Sequence, residues 1–193
     1  MRLFYAVKFT DHVKESLDNS IWEIQKYTVR GNFTEKNNFH ITLVFVGECE
    51  ADIIENLKKV ADKTVSKLNP APVKAVIENL GTFKRPGDEL LWAGVRTEPY
   101  DILDKISKAV IEELAGYNIK INDNNKKFTP HVTMARRIEF VNSSEEDIKN
   151  IKFTQIDFII DSLTLMESVQ EIKTYGERRY TKIIYNPVYE VKF

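Results

Sequence analysis

Two stretches decide the fold of this chain: Phe39-His40-Ile41-Thr42-Leu43-Val44-Phe45-Val46-Gly47 and Phe128-Thr129-Pro130-His131-Val132-Thr133-Met134-Ala135-Arg136. Each stretch is rich in apolar and β-branched residues, has the length of a strand and contains a His-x-Thr triplet. The two triplets lie about half the chain length apart, which favours an internal duplication. We therefore predict two equivalent strands, each carrying one triplet.

The alternation of side chains along a strand determines which residues act together. His40 and Thr42 are expected on one face of the first strand, and Ile41 on the other. The same alternation places His131 and Thr133 together on the second strand. Since a strand rises about 3.3 Å per residue, the imidazole and the hydroxyl of each triplet lie about 6.6 Å apart along the backbone.

Two imidazoles and two hydroxyls that face one cleft suit in-line displacement at phosphorus. One histidine takes a proton from the attacking water while the other donates a proton to the leaving sugar oxygen. Histidine serves in both roles because its unperturbed pKa is about 6.5. We predict that His40 and His131 are this catalytic pair and that Thr42 and Thr133 bind the non-bridging phosphate oxygens. The alternative is a pair of hydrogen-bonded core histidines, but the repetition of the triplet in matching strands favours catalysis.

Further side chains are candidates for contacts with a phosphate or a base. Arg136 follows the second triplet and could grip a phosphate with its forked guanidinium, with a plain surface charge as the equal alternative. Four aromatic residues could stack on a base, although core packing is favoured for each: Phe45, Phe83, Trp92 and Phe128. Cations in predicted loops could surround a cleft, although most are expected to be solvated: Arg30, Lys36, Lys84, Arg85, Lys126 and Lys127. His12, beside a helix start, is expected to face solvent.

The hydrophobic patterns predict an α+β protein with largely antiparallel strands. Strands are predicted at residues 2–9, 39–47, 73–83, 89–96, 128–136, 153–167 and 180–193. Helices are predicted at residues 11–24, 52–67, 100–114 and 144–150. Residues 28–38 and the polar segment 122–127 are predicted loops, and residues 84–88 a turn. No Pro/Gly/Ser-rich linker separates these elements, so residues 1–193 are expected to form a single bilobal domain.

The composition excludes several classes of protein. The 28 Lys and Arg residues balance 29 Asp and Glu residues, so a small site with local cations is favoured over a long nucleic-acid track. One cysteine, Cys49, excludes an intrachain disulfide and favours a reducing compartment. We expect a cytoplasmic protein without a membrane span or signal peptide. With three scattered histidines and neither a His-Glu-x-x-His motif nor a phosphate-binding loop, no metal or cofactor is expected.

The two triplets and their flanks resemble the paired signatures of the two-histidine phosphoesterases, and most closely the RNA 2′,3′-cyclic phosphodiesterase group, also called 2′-5′ RNA ligases or LigT-like proteins. The likeness extends to residues 2–7, 81–83, 91–95 and 163–168. It implies two similar lobes around a central cleft, each a mainly antiparallel sheet with helices packed outside and each donating one triplet. It also implies that a 2′,3′-cyclic RNA end is opened to a 2′-phosphate, with His40 as the acid on O3′, His131 as the base on water and Arg136 on the phosphate.

The substrate class follows from the same resemblance, and other interpretations stay open. The expected partners are RNA ends or short nucleotides with a cyclic phosphate, and a monomer is expected. A sister activity on an ADP-ribose cyclic phosphate or on 2′-5′ oligoadenylate is one alternative. A non-catalytic module that only binds RNA ends is another, although Arg or Lys would grip phosphate better than histidine.

Overall fold

The computed structural model of the protein describes residues 1–85, 87–121, 128–175 and 178–193. Within these residues the chain forms nine strands and four α-helices. The strands are β1 Arg2–Lys8, β2 Thr28–Phe33, β3 His40–Glu48, β4 Val73–Arg85, β5 Asp88–Glu98, β6 His131–Phe140, β7 Ile156–Ile160, β8 Ser162–Tyr175 and β9 Arg178–Lys192. The helices are α1 Asp11–Gln25, α2 Ile54–Leu68, α3 Ile102–Gly116 and α4 Ser144–Asn150.

The strands join in one antiparallel sheet with the order β7-β4-β5-β6-β3-β1-β8-β9, and β2 also pairs with β6. The sheet has two halves that meet between β3 and β6. Across this seam the described register contains one residue pair, Ile41 opposite Val132. The two triplet-bearing strands are therefore direct neighbours at the junction of the halves, which positions the candidate site.

The helices cover the sheet in a crossed arrangement. Helix α1 follows β1 in the chain but contacts β2 and β7, on the half that contains β6. Helix α3 follows β5 and contacts it, but it contacts β3 more extensively and packs against α2, on the other half. The Ser107 hydroxyl of α3 donates a hydrogen bond to the Leu43 carbonyl of β3 at 3.0 Å. Each half of the sheet is thus covered by a helix from the opposite half of the sequence.

The core lies between the helices and the inward face of the sheet. One large cluster of buried apolar side chains includes Leu3, Ile41, Leu103 and Val132, each with no exposed surface. Burial of such side chains contributes roughly 1.5–3 kcal/mol each to folding. Because Ile41 and Val132 both face this core, the histidines beside them in sequence face the other way.

The fold expected from the sequence, α+β with largely antiparallel strands and helices packed outside, is confirmed, and two local predictions are wrong. Residues 28–38 contain strand β2 in place of a loop, because β6 offers the polar, glycine-bearing segment a backbone partner. Residues 153–167 form two strands, which lie near opposite ends of the sheet. The predicted loop 122–127 lies outside the described residues, as does Pro86 of the predicted turn. Among the described residues, no helix is long and apolar enough to cross a membrane.

Candidate phosphate-binding site at the seam

The seam between β3 and β6 brings the two triplets together. In an antiparallel pair, successive residues run in opposite directions, so the Ile41–Val132 pair sets His40 across from Thr133 and Thr42 across from His131. Ile41 and Val132 are buried, and the four polar side chains on the opposite face are half-buried. Each imidazole therefore lies beside the hydroxyl of the other triplet, in an arrangement with approximate two-fold symmetry.

A β-bulge follows each triplet and changes which residues share its face. In β3 the register against β1 shifts after Thr42, and in β6 the register against β5 shifts after Thr133. Because a bulge inserts one residue, the alternation of faces moves by one position. The exposed residue three positions after each threonine, Phe45 in β3 and Arg136 in β6, thereby joins the face of the triplets. At equivalent positions, the first triplet is thus followed by the aromatic ring of Phe45 and the second by the guanidinium of Arg136.

His40 is held by hydrogen bonds at both ring nitrogens. Its Nδ1 donates to the Asn38 carbonyl at 2.7 Å, and because a carbonyl only accepts, Nδ1 carries the proton. Its Nε2 then accepts from the Thr42 hydroxyl at 2.9 Å. Two rings enclose the imidazole: Phe4 at 5.1 Å between centroids and Tyr185, edge-on, at 4.8 Å. The neutral ring consequently presents its basic nitrogen toward the triplet face.

His131 has the same tautomer and a different setting. Its Nδ1 donates to the Thr129 carbonyl at 2.7 Å, which leaves Nε2 as the basic nitrogen. Phe83 lies edge-on at 5.2 Å between centroids, and Trp92 lies at 6.4 Å. The indole of Trp92 covers Gly81, where a Cβ atom would come within 2.4 Å of the ring. Gly81 therefore leaves the space that the Trp92 indole occupies beside His131.

The surroundings lower the pKa of both histidines. Burial lowers the pKa of His40 to about 4; the hydrogen bond to Asn38 opposes this, and the charges of Arg136 and His131 add to it. Burial likewise lowers the pKa of His131, opposed by its bond to Thr129 and reinforced by Arg136. In the free protein both imidazoles are therefore neutral at neutral pH, and a bound anion would favour their protonation.

A cleft of about 430 Å³ opens beside this quartet. Its lining includes His40 and Thr133 from the two triplets, Arg136, and Tyr185 from β9. Within the described part of the chain, no carboxylate is paired with Arg136, whose side chain is exposed. An unpaired guanidinium beside two imidazoles and two hydroxyls suits a small oxyanion such as a phosphate diester.

The aromatic candidates predicted from the sequence lie in different surroundings. Phe45 is 66% exposed, so the prediction of core packing is wrong for it; the bulge turns its ring outward. Trp92 and Phe83 contact His131, while Phe128 packs against the core. His12 is exposed, as predicted.

Three of the six cations predicted in loops have carboxylate neighbours on the surface. Arg30 pairs with Glu139, Lys36 with Glu15 and Lys84 with Glu145. Lys126 and Lys127 lie outside the described residues, and the side chain of Arg85 is not described. In the described chain no cluster of three His, Cys, Asp or Glu side chains could hold a metal ion.

Two residues beside His40 escaped the sequence analysis. Asn38 stands two positions before the first triplet, and its proximity to the triplet was the available signal. Tyr185 is far from the triplets in sequence and reaches His40 only because β9 curls toward the end of β3. No sequence pattern indicates that contact.

This fold and paired-triplet site match a known family. The sequence profile described as the AKAP7 2′5′ RNA ligase-like domain matches residues 6–175. The chain belongs to this family of 2′-5′ RNA ligase-like proteins within the two-histidine phosphoesterases, as its resemblance indicated.

Individual relatives agree with this assignment. The chain is 25% identical over 195 residues to the RNA 2′,3′-cyclic phosphodiesterase of Thermotoga maritima, with 100% of this chain and 96% of the relative covered. A Thermus thermophilus protein of the same name is 30% identical over 140 residues, 71% of this chain and 69% of the relative. The solved structure of Escherichia coli LigT complexed with 3′-AMP superposes with a TM-score of 0.71 at 19% identity, covering 99% of this chain and 97% of LigT. That structural likeness supports the fold alone.

Proposed function

We propose that this protein hydrolyses the 2′,3′-cyclic phosphate ends of RNA to 2′-phosphate ends, without a metal ion, by acid–base catalysis between His40 and His131. One observation carries the proposal: the seam register sets each imidazole across from the other triplet's threonine, on a single face. A phosphorus centred on this face has one imidazole on each side, as in-line displacement requires. Several relatives named RNA 2′,3′-cyclic phosphodiesterase support the choice of substrate.

The reaction follows from the protonation states. The neutral Nε2 of His131 takes a proton from water as the water oxygen attacks phosphorus. Protonated His40 gives its Nε2 proton to O3′ as the O3′–P bond breaks, which leaves the phosphate on O2′. His40 is neutral in the free protein, and the negative charge of the bound cyclic phosphate favours the uptake of the proton that it donates. Proton transfer of this kind contributes about 10²- to 10⁴-fold to the rate.

The other side chains of the face assist binding and charge stabilisation. The hydroxyls of Thr42 and Thr133 donate to the two non-bridging oxygens, and the guanidinium of Arg136 balances their charge. Phe45, exposed on the same face, offers a flat surface on which the terminal base stacks. Arg136 therefore binds the phosphate and Phe45 the base, from equivalent positions after the two bulges.

The test uses a short RNA that ends in a 2′,3′-cyclic phosphate, incubated in EDTA with wild-type protein, His40→Ala and His131→Ala. We expect ring opening by the wild type and a loss of at least about 10²-fold in each variant. Phosphorus NMR of the product identifies the 2′-phosphate. His12→Ala is the matched control, because His12 is exposed and should leave the rate unchanged.

Three results would overturn the proposal in different ways. Loss of activity in EDTA would exclude a metal-independent mechanism. Faster turnover of 2′-5′ oligoadenylate or of an ADP-ribose cyclic phosphate, competed at equal concentration, would reassign the substrate. Tight binding of the RNA end without turnover would indicate that the protein is a non-catalytic module that binds RNA ends. The single bilobal domain, the monomeric state and the cytoplasmic location expected from the sequence stay predictions.

A further inference from the structure

The side chain of Asn38 joins the segment before the first triplet to β9 by hydrogen bonds, and Glu35 of the same segment forms an ion pair with Lys182 of β9. The amide nitrogen of Asn38 donates a hydrogen bond to the Ile183 carbonyl at 2.7 Å. Its amide oxygen accepts a hydrogen bond from the Tyr185 backbone N–H at 3.3 Å. The Asn38 backbone N–H donates to the Glu35 carbonyl at 2.8 Å. The residue is therefore restrained at its side chain and at its backbone nitrogen.

We propose that Asn38 is a positioning residue, which holds the His40 imidazole in its Nδ1–H tautomer by fixing the backbone carbonyl that accepts this proton; its effect on the rate rests on the function proposed above. The Asn38 carbonyl lies 2.7 Å from Nδ1 of His40. A carbonyl that moved away would let the imidazole proton shift to Nε2, the nitrogen that must face the substrate as base or acid. The side-chain bonds to β9 prevent that movement.

The same two bonds also place a second group against His40. Ile183 and Tyr185 are alternate residues of β9, so the amide of Asn38 binds the strand edge as a neighbouring strand would. The ring of Tyr185 then lies edge-on to the imidazole, with the centroids 4.8 Å apart. Asn38 thereby orients the imidazole through its carbonyl and confines it through Tyr185.

In the second triplet, the carbonyl that accepts the Nδ1 proton of His131 is oriented in a different way. This carbonyl belongs to Thr129, and Pro130 follows. A residue before proline is restricted to extended conformations, so the direction of this carbonyl is set locally. The Pro130 carbonyl in turn accepts from the Val95 N–H at 3.1 Å. The first triplet has Phe39 where the second has Pro130, so its carbonyl needs a tertiary restraint, and Asn38 supplies it.

The tautomer can be measured directly by NMR of imidazole ¹⁵N. The chain contains three histidines, and the resonances of His40 are assigned by their loss in His40→Gln. We expect wild-type His40 to show a protonated Nδ1 and an unprotonated Nε2 at neutral pH. Asn38→Ala should give averaged shifts from both tautomers. It should also lower kcat about 10-fold or more while KM changes by less than about 3-fold, because misorientation acts on the reacting geometry.

Two matched variants and one combination complete the test. Asn37→Ala removes an exposed side-chain amide from the same turn. This amide makes no hydrogen bond to the described residues, so the substitution should change neither the imidazole ¹⁵N shifts nor kcat. Asn38→Ser keeps a donor and acceptor on a shorter side chain and should fall between the wild type and Asn38→Ala; it decides the question if Asn38→Ala does not fold. Combined with His40→Ala, Asn38→Ala should cause no further loss of rate, since its effect passes through His40.

The outcomes separate this inference from the proposed function. If the wild type does not hydrolyse the RNA end but Asn38→Ala still changes the His40 tautomer, positioning stands and the proposed function fails. If the wild type is active and folded Asn38→Ala keeps both the tautomer and kcat, the positioning role is wrong. An equal loss of rate from Asn38→Ala in the presence and absence of His40 would also overturn it, because the effect would then be a general loss of structure.

Discussion

The lowered pKa of His40 predicts how the stability of the protein depends on pH. The pKa of His40 is about 4 in the folded protein, against about 6.5 in an unfolded chain. As pH falls below about 6.5, His40 becomes protonated in the unfolded state but stays neutral in the folded state. Protonation therefore favours unfolding. At about pH 5 the two pKa values give about a 30-fold advantage to the unfolded state, or about 2 kcal/mol.

The assay compares the free energy of unfolding by urea at about pH 7.5 and about pH 5 in wild-type protein and in His40→Gln. The wild type should lose about 2 kcal/mol more than the variant between these two pH values, and this difference cancels the cost of the substitution itself. His12→Gln is the control, since His12 is exposed, and it should follow the wild type. Equal losses in wild type and His40→Gln would refute the claim that His40 is kept neutral by its burial.

Four further predictions follow from the site. Arg136→Gln should move both limbs of the pH profile of kcat/KM toward higher pH, because Arg136 lowers the pKa of both histidines; a profile that keeps its position would contradict this. Gly81→Ala should displace Trp92, since the added Cβ would lie 2.4 Å from the indole, and lower kcat several-fold, whereas Gly116→Ala, with open space around its position, should have no effect on the measured rate. Phe45→Ala should raise KM for the RNA end about 10-fold through loss of stacking, measured beside Trp22→Ala, which removes a 73%-exposed ring on α1; equal KM values in the two variants would argue against a base on Phe45. Finally, a cyclic substrate with sulfur at the 3′ bridging position has a leaving group that needs no proton, so it should restore activity to His40→Ala and not to His131→Ala; the reverse pattern would exchange the acid and the base.

The crossed placement of the helices bears on how the duplicated pattern in the sequence becomes one structure. Helix α1 covers the half of the sheet that contains β6, and α3 covers the half that contains β3. Each half of the sheet is thus covered in part by a helix that lies beside the other triplet's strand in sequence. This exchange joins the two halves through the core as well as through the seam, and a single cooperative unfolding transition is the expected consequence.

Much of the fold could be predicted from the sequence because the pattern of buried residues is local. The alternation around each triplet predicted that Ile41 and Val132 lie in the core, and both of these residues are buried. It also predicted that each histidine shares a face with its threonine. The helix predicted at residues 144–150 is present as α4, and the Ser143 hydroxyl caps it by accepting the Glu146 N–H at 3.2 Å. Strand β2 could not be predicted, because its polar sequence becomes a strand only beside β6.

The sequence by itself determined the chemistry that the protein carries: two imidazoles and two hydroxyls in repeated triplets, on strands whose other face is apolar. It could not determine which groups meet. The pairing of Ile41 with Val132, the bulges that turn Phe45 and Arg136 onto the triplet face, and the contacts of β9 with Asn38 and His40 arise between segments distant in sequence. Local patterns encode burial and backbone conformation, whereas strand register, bulges and pKa shifts depend on which surfaces pack together. The tertiary structure therefore decided the symmetry, the charge and the orientation of the site.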